Sequence, residues 1–150
     1  MKTYPKYTWL EKDGIAFCEL KYKDMPINGT AECHPEDQDV KSKLTGETIA
    51  EYRALIKYIK FVRDYELRPQ LQALNHLYHC MKNSKHFNKK SYEAKSLFRQ
   101  IHLLEKDIEE IQGIIKTTEI DLQNYITKKE KDHKVIREKI AERQLDENNQ

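Results

Sequence analysis

Leu97, Ile101, Leu104, Ile108, Ile111 and Ile115 recur at alternating intervals of four and three residues, in a stretch where no proline follows Pro69. A helix whose apolar positions repeat in this way carries a seam that must be buried against other helices. The seam therefore demands helical partners, from a second copy of the chain in a homo-oligomer or from the chain itself. The spacing predicts an element over 91–145, capped by Ser91 or Asn88, that is either one continuous helix of about 50 residues, roughly 75 Å long, or a hairpin turning near Gly113, Thr117 and Thr118, where helix propensity falls. Past Ile115 the register loosens through Thr118, Leu122 and Tyr125 to Ile126, Ile136 and Ile140, and residues 146–150 are expected to fray.

The amino-terminal third has a different period. Tyr7 to Glu11 alternates aromatic and polar residues, Asp13-Gly14 signals a hairpin, and Ile15 to Tyr22 alternates again. After a turn at Lys23-Asp24-Met25-Pro26, a third run from Ile27 to Cys33 pairs back, and a register with Leu20 opposite Gly29 gathers Ala16, Cys18, Leu20, Tyr22, Ile27, Ala31 and Cys33 on one face with Tyr7 and Trp9. So small a sheet needs a helix over it. The expected fold class is α+β: a three-stranded antiparallel sheet over 7–33, helices over 45–66 and 69–82 completing a domain of residues 1–90, then the coiled-coil helix or helical hairpin of 91–145.

Between sheet and helix lies a joint. Pro35 ends the third strand because it lacks an N–H for the ladder, and Glu36, Asp37 and Asp39 form an acidic turn, either solvated or open to an ion or a basic partner. The spacing fits no calcium loop. Strand alternation sends Cys33 to the apolar face and His34 away from it, so the pair does not read as a nucleophile and its base. The next helix, capped by Ser42 or Thr45, presents Ile49, Tyr52, Ile56 and Ile59 with Leu55, Tyr58 and Val62 beside them, and Arg53 is either an exposed side chain or an ion-pair partner of the acidic turn. Pro69 is expected to break or kink the helix before a second stripe of Ala73, Leu74, Leu77, Tyr78 and Met81.

Two groups of side chains on this second helix and its exit invite a functional reading. His76, His79 and Cys80 place two zinc-capable ligands one turn apart, with Cys33, His34, Cys18 or His86 needed to complete a site; the plainer reading is surface histidines and a core cysteine, with no cofactor. Lys82, Lys85, Lys89 and Lys90 surround Phe87, the densest basic stretch of the chain, fit either to grip an acidic partner or nucleic acid or to form a solvated loop with Phe87 turned inward. No global field supports nucleic-acid binding, because 27 Lys+Arg against 25 Asp+Glu leave a net charge of +2.

No apolar run suffices for a membrane span, and the start of the chain lacks a signal-peptide core, so a cytoplasmic setting is expected. Cys18, Cys33 and Cys80 are then thiols, and the Asn28-Gly29-Thr30 sequon is incidental. With no local nucleophile–base arrangement, no phosphate-cradling loop and only four glycines, an enzyme is not expected.

The segments GTAECHPEDQDV, TGETIAEYRA, RDYELRPQLQALNHLY and NKKSYEAKSLFRQI, spanning most of residues 29–101, resemble small uncharacterised proteins encoded by phages and prophages of Gram-positive bacteria. That resemblance brings no catalytic or binding residues with it. It implies an accessory protein made in the bacterial host cytoplasm. Such products often bind and block a host defence protein, inhibitors of CRISPR effectors such as Cas9 among them. The alternative is a nucleic-acid-associated coiled-coil oligomer serving phage replication or packaging.

Overall fold

The computed structural model describes residues 4–34 and 42–150. Pro35, Asp37 and Asp39 of the expected joint lie outside the described residues. The elements run β1 (Lys6–Leu10), β2 (Ile15–Tyr22), β3 (Met25–Glu32), α1 (Lys43–Val62), a π-helical turn (Arg63–Leu67), α2 (Arg68–Lys82) and α3 (Tyr92–Asn148). The class is α+β, with a three-stranded antiparallel sheet in the order β1-β2-β3. No helix among the described residues is long and apolar enough to cross a membrane. The chain forms two compact units, Met1–Tyr58 with Thr117–Gln150 and Ile59–Lys116, whose limits fall inside α1 and α3, whereas the sequence pattern suggested a limit at residue 90.

In the first unit the sheet follows the expected alternation. Tyr7 lies opposite Cys18 and Trp9 opposite Ala16. The β1–β2 loop closes with Gly14 at φ 63°, a left-handed conformation that glycine adopts without steric cost. The β2–β3 register differs from expectation by two residues, with Leu20 opposite Ile27 and Cys18 opposite Gly29. A slip of two keeps every side chain on its face. Its cause is the tight Lys23-Asp24 turn, with Lys23 at φ 54°. Pro26 therefore falls inside β3, which it can do because β3 is an edge strand.

Small side chains bring α1 onto this sheet. A Cβ on Gly29 would stand 2.0 Å from the Ala50 carbonyl oxygen and 2.4 Å from the Ala54 nitrogen, so helix and strand backbones are in direct contact. The core joins Ala16, Cys18, Leu20 and Ala31 of the sheet to Ala50 and Ala54, with Trp9, Ile49 and Tyr58 packed around them. Gly46, one turn before Ala50, faces the Trp9 ring and Ala16. The closest sheet-facing stripe is therefore Gly46, Ala50 and Ala54, flanked by Ile49 and Tyr58 of the residues the periodicity singled out. Ile56 is buried, Leu55 is exposed, and the Tyr52 ring packs on Tyr125 of α3, with centroids 6.3 Å apart.

Arg53 and Lys57, one turn apart on α1, donate to the outward carbonyls of Thr30 at 2.7 Å and Asn28 at 2.9 Å. Two cations thus occupy acceptors along the open edge of β3, which blunts it against pairing with another chain. Of the two candidate caps for α1, Ser42 serves, its hydroxyl accepting from the Thr45 N–H at 3.3 Å; the Thr48 hydroxyl bonds the Leu44 carbonyl instead.

In the second unit Pro69 does not break the helical run. The preceding turn widens, and the Arg68 N–H bonds the Arg63 carbonyl five residues back. A π-turn accommodates a proline ring that would strike the carbonyl four residues earlier. Arg63 and Arg68 close on the Asp64 carboxylate at 2.9 and 2.8 Å. The Arg63 hydrogen bond, helped by the nearby charges of Arg68 and Lys60, holds the Asp64 carboxyl below the usual range against the opposing effect of desolvation.

The chain reverses through 83–91, bringing Tyr78 of α2 to 6.2 Å from Phe98 of α3. Leu71, Leu74, Tyr78 and Met81 form the half-buried stripe of α2, displaced from the expected one: Ala73 and Leu77 are exposed. On α3, which is continuous for 57 residues with no turn at Gly113, Leu97, Ile101, Leu104, Ile108 and Ile115 are buried and Ile111 is half-buried. One copy of the chain thus buries this seam. The larger apolar side chains left exposed on α3 include Ile120, Val135, Ile136, Ile140 and Leu145.

Candidate functional site

Two clefts concentrate the polar chemistry, one in each unit. In the first unit a cleft of about 240 Å³ is lined by Trp9, Glu32, Cys33, His34, Ser42, Thr45, Arg53 and, from α3, Lys129, Glu130 and His133. The joint residues Cys33, His34 and Arg53 come together here. Cys33 is half-buried and His34 exposed, in line with the alternation argument, and the Cys33 N–H bonds the Gly14 carbonyl at 2.9 Å, one step past the Ile15–Glu32 pair that ends β3. The contribution of α3 was not legible in the sequence, where Lys129 and His133 sit in a nearly seamless charged run. Their spacing of four, continuing from Leu122 and Tyr125 along the half-buried side of α3, is the signal that carries it.

In the core between sheet and α1 Cys18 is fully buried, and burial, with the Glu51 carboxylate nearby, pushes its thiol up to about 11. Burial also pushes the Tyr7 hydroxyl above its usual range, reinforced by the hydrogen bond it donates to Glu51 at 2.7 Å. Trp9 donates its indole N–H to Glu11. The Tyr7–Glu51 bond ties β1 to α1.

In the second unit the second cleft, about 440 Å³, lies where the 83–91 segment meets the start of α3. Its walls are Tyr78, Phe87, Lys89, Ala94, Lys95, Phe98, Arg99 and His102. The segment is a string of tight turns: Phe87 N–H bonds Ser84 O at 3.2 Å, Lys90 N–H bonds the Asn88 side chain at 2.9 Å, and Ser91 caps α3 by accepting from Ala94 N–H at 3.2 Å. Phe87 is half-buried, edge-on to Tyr78 with centroids 6.2 Å apart. Of the three aromatic wall residues, Phe98 is the exposed one, at 61%.

Of the predicted surface residues, Lys89 and Phe87 line this cleft, while Lys82, Lys85 and Lys90 are exposed but not among its walls. Sequence reasoning missed Lys95, Phe98, Arg99 and His102. They recur at intervals of three, one and three, which places them on one side of a helix beside the buried seam; a phenylalanine among cations on a polar face is the signal. From Lys82 to His102 the chain has six Lys/Arg and one acidic residue, Glu93, although the whole chain has a surplus of only two positive charges. The patch is local and invisible in the net charge.

His76, His79 and Cys80 are exposed on α2. Cys80 Sγ lies 3.7 Å from His76 Nε2, while His79 Nε2 turns to the Asn83 amide at 3.2 Å. Among the described residues no three His, Cys, Asp or Glu side chains stand together as a metal site. No protein-family model, curated protein or solved structure matches the chain.

Proposed function

We propose that the chain acts by binding rather than by catalysis, and that its working surface is the basic–aromatic face of the second unit. The observation that carries this reading is the concentration of six Lys/Arg and an exposed Phe98 within the 21 residues from Lys82 to His102, in a chain that is otherwise near neutral. Lys85, Lys89, Lys95 and Arg99 form no ion pair among the described residues, so their charge is available to an acidic partner. Aromatic and arginine anchors in a shallow cleft are the side chains that dominate binding energies.

The likeness to phage accessory proteins supplies the setting: a host defence protein, a CRISPR effector in its most specific form, bound and blocked in the bacterial cytoplasm. Co-purification tests this. Tagged protein expressed in a susceptible host should retain a defence protein, and Lys89→Glu combined with Lys95→Glu and Arg99→Glu should release it. Recovery of the tagged chain alone, or equal recovery by the variant, overturns the reading.

A further inference from the structure

We infer that the cleft of the second unit takes a single-stranded nucleic acid, with a base stacked on Phe98 and the backbone following Lys89, Lys95 and Arg99. The inference goes beyond the proposed function: it shares the premise that this face is the working surface and assigns the face a nucleic-acid ligand.

Three observations meet at this place. Phe98 is 61% exposed and its ring packs, tilted, on Tyr78 with centroids 6.2 Å apart, so a largely accessible ring sits on a supported side chain. Lys95 and Arg99 stand one helical turn apart beside it, and Lys89 and His102 complete the rim, so cations flank the ring. The cleft, about 440 Å³, lies within the usual range for small-ligand sites and has room for a base. Cations along a groove with an aromatic platform between them are what a flexible, unpaired strand needs, because every base has a face to stack and every nucleotide a phosphate to neutralise. A duplex keeps its bases stacked inside and cannot use Phe98. Poly-glutamate can use the cations but has no flat ring system for the platform.

The test is fluorescence anisotropy of the full-length protein with labelled twelve-residue oligothymidine, oligouridine, a duplex of the same length and poly-glutamate. The single strands should bind, with preference between the first two reporting any use of the sugar hydroxyl. About three phosphate contacts predict a slope near −2 in a plot of log affinity against log salt. Phe98→Ala should weaken binding about tenfold or more, the loss expected when one stacked base is released. Phe98→Trp should retain it. Lys95→Glu with Arg99→Glu should abolish it, while Lys139→Glu with Arg143→Glu, exposed elsewhere on α3, should leave it within twofold. Circular dichroism of each variant verifies that the helices remain. Absence of binding at low salt, equal affinity for the duplex or poly-glutamate, or indifference to Phe98→Ala overturns the inference. A host protein retained in co-purification without oligonucleotide binding would leave the proposed function standing and this inference refuted; the reverse result would do the opposite.

Discussion

Adding one methyl group at each of three glycines should give three different outcomes, because the same atom meets backbone, a side chain or nothing. In Gly29→Ala the new Cβ falls 2.0 Å from the Ala50 carbonyl oxygen and 2.4 Å from the Ala54 nitrogen. Tolerated carbon–oxygen approaches are about 3.3 Å, so α1 must withdraw from β3 by about 1 Å. Both obstacles are backbone, so no rotamer change relieves the clash. The withdrawal also stretches the Arg53 and Lys57 bonds to the β3 edge. Overpacking costs about 1–3 kcal/mol where side chains can yield, and this site should cost at least about 3 kcal/mol. In Gly46→Ala the Cβ lies 3.0 Å from the Trp9 ring and 3.1 Å from the Ala16 methyl; crowding there opposes a gain in helix propensity of about 1 kcal/mol, for a net change near zero. In Gly113→Ala the Cβ meets nothing within 4 Å, so the propensity gain of about 1 kcal/mol stands alone. Urea denaturation followed by far-ultraviolet circular dichroism ranks the three, and fluorescence of the single tryptophan, Trp9, follows the sheet–helix contact separately. A Gly29→Ala midpoint equal to that of the wild type, or a Gly113→Ala protein as unstable as Gly29→Ala, would refute the close-contact argument.

Further consequences can be measured directly. At pH 8 an alkylating reagent should modify exposed Cys80 in the native protein and reach buried Cys18, whose thiol is pushed up to about 11, only in denaturant, as read by mass spectrometry; equal rates would contradict the packing of β2. Asp64→Asn should cost less than about 1 kcal/mol at neutral pH, because the pair with Arg63 and Arg68 is partly exposed. Since the Asp64 carboxyl is held below its usual range, that contribution is present above the ordinary aspartate pKa and lost as pH falls through the folded value, so wild type and variant should converge in acid. Tyr7 titrates above its usual range, so its contribution is complete below about pH 10 and lost as pH rises further; ultraviolet titration of Tyr7→Phe should remove one late-ionising phenol. In light scattering, any self-association should respond to Ile136→Glu with Ile140→Glu, which alters exposed positions, whereas Leu104→Glu, at a position buried in one copy of the chain, should unfold the second unit.

Elements defined by large side chains were legible in the sequence, and those defined by small ones were not. The alternation from Ala16 to Tyr22, the Asp13-Gly14 turn and the long seam of α3 each announce themselves, because burial of a periodic face is the strongest local signal in a chain. Hydrophobic periodicity passed over Gly46, Ala50 and Ala54, which bury little area but let the α1 backbone touch that of β3 at Gly29. Pro26 was placed in a turn and Pro69 at a break or kink, whereas an edge strand and a π-turn absorb them. In the candidate surface, the basic run from Lys82 to Lys90 was visible as composition, but Lys95, Phe98, Arg99 and His102 belong to it only once the turns of 83–91 fold that run onto α3.

The proposed function turns on whether this face is what a partner recognises. Parallel co-purification from a susceptible bacterial host of the wild type, the Lys89→Glu, Lys95→Glu, Arg99→Glu variant, and a Lys139→Glu, Arg143→Glu control tests it most directly. A defence protein held by the wild type and the control and lost from the triple variant is the predicted result. The same protein held equally by all three, or by none, would contradict it.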